Sequence, residues 1–121
     1  MTWTLRKTFR FEASHQLPHH TGKCRNLHGH SWVGQVYVRG STLHQTGSQT
    51  GMLVDYGVIG DAIDTILPQL DHRHLNESLD LETPTSELVA VWIYKQLALT
   101  LEGLVAVEIE ETCTTSCRYE P

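Results

Sequence analysis

Hydrophobic and polar residues alternate from Thr2 to Ser14, with Trp3, Leu5, Phe9, Phe11 and Ala13 at odd positions and mostly polar residues between them. A period of two predicts a strand with one buried face, and His15 continues the buried parity. A second apolar run, from about His28 to Gly40, predicts another strand, and the polar, glycine-containing stretch 42–51 (TLHQTGSQTG) predicts a loop after it. The two strands are expected to pair as an antiparallel hairpin. The period then changes. Asp55 is a candidate N-cap, and Val58, Ile59, Ala62, Ile63, Ile66, Leu67 and Leu70 recur at helical spacing, so a helix should end near Pro68 or Leu70. Residues 70–76 (LDHRHLN) and an acidic stretch to Glu82 form a connection to a second helix, with Thr83 as the expected cap and Pro84 as the first helical residue. Leu88, Val91, Trp92, Leu97, Leu99 and Leu101 supply its apolar positions as far as Gly103. Alternation returns from Leu104 to Glu111, and a short segment around Cys117 to Tyr119 should pair with it. Two strands, two helices and two strands, without an internal repeat, predict an α+β domain with helices on one face of an antiparallel sheet. The open edges of so short a sheet are ones that oligomerisation could cover.

Length and charge narrow this picture. A chain of 121 residues is expected to form one domain spanning residues 1–121. A net charge of −5 gives no electrostatic footprint for nucleic acid or for an anionic membrane surface. No apolar run approaches the length of a membrane span, and the first residues alternate rather than forming a signal core, which predicts a cytoplasmic protein. The 3 cysteines are too few for a disulfide scaffold, so each is expected to be a thiol, a ligand or core filler.

Chemistry concentrates between His15 and His30. His28 and His30 stand two apart at the start of the second strand and therefore project to the same side. Antiparallel pairing can bring His15, at the end of the first strand, opposite them. Three imidazoles without an obvious fourth protein ligand form the pattern of a catalytic zinc site, which keeps one position for water or substrate. Two alternatives stand beside it: Cys24 as a fourth ligand closing a structural site, and a histidine cluster without metal. His19 and His20 follow Pro18 in what reads as a solvated loop. Glu12, the only nearby general-base carboxylate for a zinc hydrolase, has even parity and should point away from His15.

Three further features carry potential chemistry. Cys24 lies between Lys23 and Arg25, and nearby cations favour thiolate over thiol, making it a candidate base or nucleophile. Asp71 adjoins His72, and a carboxylate beside an imidazole can fix its tautomer for proton transfer. Glu111 ends the row Val105, Val107, Ile109, so its carboxylate sits either at the sheet rim or buried with a partner, awaiting a ligand with two N–H donors. Cys113 and Cys117 are expected to be structural thiols, a second metal site being the alternative.

Taken in order, FRFEASH, CRNLHGH, GMLVDY, LDHRHLN, TPTSE and EETCTTSC resemble the 6-pyruvoyltetrahydropterin synthase superfamily, and within it the bacterial 6-carboxytetrahydropterin synthases of the queuosine pathway. The resemblance covers nearly the whole chain. It implies a tunnelling fold (T-fold) in ββααββ order whose subunits assemble around a barrel, commonly as a homohexamer with active sites between subunits. It also implies that His15, His28 and His30 bind Zn2+, that Cys24 is the catalytic thiol, and that Asp71 and His72 form the proton-relay pair. Glu111 would anchor the pterin ring, with Thr85, Ser86 and Glu87 lining its pocket. The implied substrate is 7,8-dihydroneopterin triphosphate. Lys23 and Arg25, with His19 and His20, are the candidates for holding its triphosphate. Three residues separate Cys24 from the HGH triplet, as in the carboxytetrahydropterin branch. The same-family alternative is pyruvoyltetrahydropterin synthesis, and the alternative of another class is a non-catalytic zinc-dependent pterin-binding module.

Overall fold

A computed structural model describes all 121 residues. The first two strands, β1 (Trp3–His15) and β2 (His28–Gly40), pair antiparallel along their whole length, from Trp3 opposite Gly40 to His15 opposite His28. The expected hairpin and its buried odd face are therefore present: Phe9, Phe11, Ala13 and His15 are all buried. One position in this pair requires glycine. A Cβ on Gly34 would lie 2.3 Å from the ring of Phe9, its partner across the ladder, so the glycine lets the ring lie flat over the strand.

Helix α1 (Tyr56–Ile66) starts as expected, with the Asp55 side chain accepting from the Gly57 N–H, and Pro68 falls in a single 3₁₀ turn after it. The connection that follows holds two elements that periodicity did not predict. Strand β3 (Arg73–His74) runs parallel to β1, and the one-turn helix α2 (Leu75–Ser78) follows directly. Side chains extend this short ladder. The Asp71 carboxylate accepts from Glu12 N at 2.9 Å, the His72 N–H donates to Glu12 O at 2.6 Å, and the Asn76 amide accepts from Gln16 N at 3.0 Å and donates to Gln16 O at 2.8 Å.

The second long helix, α3 (Ser86–Ala98), corrects three expectations. Its cap is Thr85 rather than Thr83, because it is the Thr85 hydroxyl that accepts from Leu88 N, and Pro84 therefore precedes the cap instead of opening the helix. It ends at Ala98 instead of reaching Gly103. Its buried face is Val89, Ala90, Ile93 and Leu97, while Leu88 and Leu99 are exposed.

Strand β4 (Leu104–Thr112) pairs antiparallel with β2 and with β5 (Thr115–Tyr119), giving the sheet order β3-β1-β2-β4-β5. An irregularity opposite Tyr37 and Val38 skips Val105, so the inward row is Val107, Ile109 and Glu111, without the expected Val105. Helix α3 packs on β4 and β5, and α1 packs on α3 and β1, so the core lies between the helices and one face of the sheet. The observed fold is thus α+β with a mostly antiparallel sheet, as expected, with one parallel edge strand added.

Candidate metal centre and its cleft

The ladder sets the site. His15 faces His28, and Ala13 faces His30, so three imidazoles meet where β1 ends and β2 begins. Beneath them lies Trp32, fully buried, stacked on Phe11 with ring centroids 5.7 Å apart and anchored by its indole N–H to Ala13 O. Its ring edge supports His15 at 5.0 Å and His30 at 5.4 Å between centroids. A rigid aromatic floor of this kind limits the rotamers open to the histidines above it.

Hydrogen bonds fix the proton positions. His15 Nδ1 lies 2.8 Å from Pro84 O, and His28 Nδ1 lies 2.7 Å from Asn26 O. A carbonyl oxygen only accepts, so each Nδ1 carries the hydrogen and each Nε2 presents a lone pair. The Nε2 atoms of His15, His28 and His30 are all buried without a hydrogen-bond partner. Orphaned buried acceptors are costly, and a cation removes that cost. The donor set therefore fits a divalent metal: borderline imidazole nitrogens, with a backbone carbonyl behind two of the rings to orient them.

A fourth group joins them. One ligand atom from each of His15, His28, His30 and Glu111 lies within 4.8 Å of all the others. The Glu111 Oε1 is 2.9 Å from His30 Nε2 and 3.4 Å from His15 Nε2. Burial holds the His30 imidazole below its ordinary value, with Glu111 opposing. The expectation that no protein group stands near the fourth position is corrected here: the position beside the imidazoles holds a carboxylate, and Cys24 is not part of the cluster. Parity pointed Glu111 to this face, and only the register of β4 on β2 brings it to the histidines.

The other expected residues lie around this centre. Cys24 sits half-buried in a single 3₁₀ turn, Lys23–Arg25, whose two cations are exposed. Asp71 divides its carboxylate: Oδ1 takes the Glu12 N–H, and Oδ2 lies 3.1 Å from His72 Nδ1. These bonds, the backbone N–H first and His72 second, hold the Asp71 carboxyl below its ordinary value. His72 itself is 80% exposed, with a left-handed φ of 59°. It lines an open cleft of about 420 Å³ together with His30, Ser14 and Glu12, so His72 and His30 border one cavity. Glu12 accepts from Ser31, its partner across the ladder, consistent with its even parity. Thr85 caps α3 beside the Pro84 carbonyl that orients His15, and Ser86 donates to Glu87. His19 pairs with Glu82 at 2.8 Å, which leaves it less available to an anion than Lys23 and Arg25. No helix is long and apolar enough to cross a membrane.

Residues 4–121 match the 6-pyruvoyl tetrahydropterin synthase family. The chain is 52% identical over 119 residues, 97% of its length and 92% of the relative's, to a Synechocystis protein named 6-carboxy-5,6,7,8-tetrahydropterin synthase. It is 36% identical over 100 residues, 75% of its length and 57% of the relative's, to the 6-pyruvoyl tetrahydrobiopterin synthase of Drosophila melanogaster. The solved Caenorhabditis elegans 6-pyruvoyl tetrahydropterin synthase superposes with a TM-score of 0.86 at 27% identity, covering 100% of this chain and 96% of that one. On the family match and the fold together, the chain belongs to the 6-pyruvoyl tetrahydropterin synthase family.

Proposed function

We propose that the protein is a zinc-dependent lyase that converts 7,8-dihydroneopterin triphosphate to 6-carboxy-5,6,7,8-tetrahydropterin, acetaldehyde and triphosphate, in the cytoplasmic route to queuosine. The observation that carries this reading is the set of three buried, unpartnered Nε2 atoms in His15, His28 and His30. The choice of product rests on the 52% identity with the Synechocystis carboxytetrahydropterin synthase.

His15, His28 and His30 would hold the ion, which when bound supplies a Lewis acid that polarises the hydroxyls of the substrate side chain. The remaining roles belong to the chain. Cys24, flanked by Lys23 and Arg25, removes one proton as thiolate. Asp71 keeps the His72 hydrogen on Nδ1, so that His72 Nε2 is free to take up and return a second proton from the cleft. Glu111 accepts the two N–H donors at the edge of the pterin ring, and Thr85, Ser86 and Glu87 line that pocket. Lys23 and Arg25 meet the triphosphate, the local cationic patch that a chain of net charge −5 needs. The proposal extends to a homohexamer with active sites between subunits, in which a neighbouring subunit would cover the His72 imidazole, 80% exposed in the single chain.

Incubating zinc-loaded protein with 7,8-dihydroneopterin triphosphate tests the proposal, with mass spectrometry for the carboxypterin and acetaldehyde. The Drosophila relative's name supports a second reading, in which triphosphate is eliminated and every side-chain carbon retained. A product of pyruvoyltetrahydropterin mass selects it. Pterin binding with intact metal and no turnover would instead mark a binding module.

A further inference from the structure

Glu111 ends the inward row of β4 against the lone pairs of the imidazoles. Its Oε1 lies 2.9 Å from His30 Nε2 and 3.4 Å from His15 Nε2, yet none of the Nε2 atoms makes a hydrogen bond. His15 and His28 have already placed their ring hydrogens on Nδ1, toward Pro84 O and Asn26 O. Toward His15 and His28, whose hydrogens are committed to Nδ1, a carboxylate oxygen finds only lone pairs, and that apposition is repulsive until a cation stands between. The spacing fits one. With metal–nitrogen and metal–oxygen bonds of about 2.0–2.2 Å, ligand atoms at the corners of a tetrahedron stand about 3.4 Å apart. The separation of His15 and Glu111 has that value, and all four ligand atoms lie within 4.8 Å of one another.

We infer that Glu111 is the fourth ligand of the metal in the substrate-free protein, closing the coordination sphere with a carboxylate. This rests on the three-histidine metal site proposed above and adds to it. One carboxylate with three neutral imidazoles leaves a divalent ion with a single net positive charge, which suits a half-buried site better than two. It also makes Glu111 a residue with two exclusive positions. The carboxylate that anchors a pterin must first leave the ion, so the open coordination position is created by the arriving substrate rather than standing open to water.

The test is zinc affinity, measured by competition with a chromophoric chelator. In Glu111→Gln, which keeps the shape and removes the charge, zinc binds at least about tenfold more weakly. In Glu111→His, whose ring nitrogen reaches about as far, most of that affinity returns, which restoring a nearby negative charge could not explain. Unfolding of both variants in chelator checks that the fold is kept. Zinc affinity unchanged in Glu111→Gln, or lost equally in Glu111→His, overturns the inference and leaves the three-histidine site standing. A sulfur-to-metal charge-transfer band in the cobalt-loaded wild type would make Cys24 the fourth ligand and overturn it as well. If the wild type binds neither zinc nor cobalt, both this inference and the proposed function fall.

Discussion

Removing the metal should cost this protein a large part of its thermal stability, and the size of the loss can be worked out. In the metal-free chain three imidazole nitrogens are buried without partners, and His15 is fully buried. Each such orphan costs about 1–3 kcal/mol. A ligand that binds only the folded chain stabilises it by mass action, by about 4.1 kcal/mol at a free concentration a thousand times its Kd. For a chain of 121 residues the unfolding entropy is about 0.25 kcal/mol/K, so the midpoint should rise by about 16 °C. The assay is thermal unfolding followed by circular dichroism at fixed protein concentration. One sample contains chelator and the other free zinc buffered at a thousandfold its measured Kd. In His28→Ala the same change of buffer should move the midpoint by no more than a few degrees, because one corner of the ligand set is gone. Meanwhile its chelator-treated midpoint should stay near that of the wild type, since the substitution also removes an orphan. A wild-type midpoint that is the same in both buffers, or a full shift surviving in His28→Ala, would refute the assignment of these imidazoles to a metal.

Four further outcomes follow from particular residues. Gly34→Ala should lower stability by about 1–3 kcal/mol in urea unfolding, because its Cβ would come within 2.3 Å of the Phe9 ring in a packed core; a variant as stable as the parent would contradict the close approach. Asp71→Asn should lower kcat by about 10²–10⁴-fold while leaving the fold intact, since an amide can still accept from Glu12 N but no longer holds the His72 hydrogen on Nδ1. In the wild type the Asp71 carboxyl should titrate below its ordinary value of 3.8 by carbon-13 chemical shift. The unfolded chain then binds the extra proton, so this group's stabilisation is complete above that pH and drains away as pH falls through the folded midpoint; a midpoint at or above 3.8 would be inconsistent with its hydrogen bonds. Cys24→Ala should abolish turnover and keep one zinc per chain by elemental analysis, and loss of zinc would make the thiol a ligand.

What the sequence revealed of this architecture follows from which physical rule each element obeys. Strands β1 and β2 were legible because a period of two decides the face of every residue, and it carried His15 to the same side as Phe11 without knowledge of the register. The face of α3 was not. Its residues from Leu88 to Tyr94 are apolar without a break, so no periodicity separates Val89 and Ile93, which are buried, from Leu88, which is exposed. Strand β3 was invisible for a different reason: it is two residues long and owes its place to the Asp71 and Asn76 side chains bonding the β1 backbone, a tertiary contact with no local pattern.

The candidate site divides along the same line. The metal half is built from one hairpin, and its spacing survives in the chain as HxH plus a same-parity histidine. Glu111 needed more, because parity fixes a face but not a register, and the irregularity that skips Val105 shifts the whole row. The half proposed to move protons is a different kind of object. Asp71 and His72 are held to the sheet edge by bonds to the Glu12 backbone, firmly enough to keep His72 at a φ of 59°, yet the imidazole is 80% exposed. Strained backbone at a solvent-facing residue is retained where something else uses the side chain. Under the proposed function, a pair rigidly mounted at a sheet edge and left open to water would suit a site completed by a neighbouring subunit. A monomer that turned over substrate as fast as the assembly would break that connection.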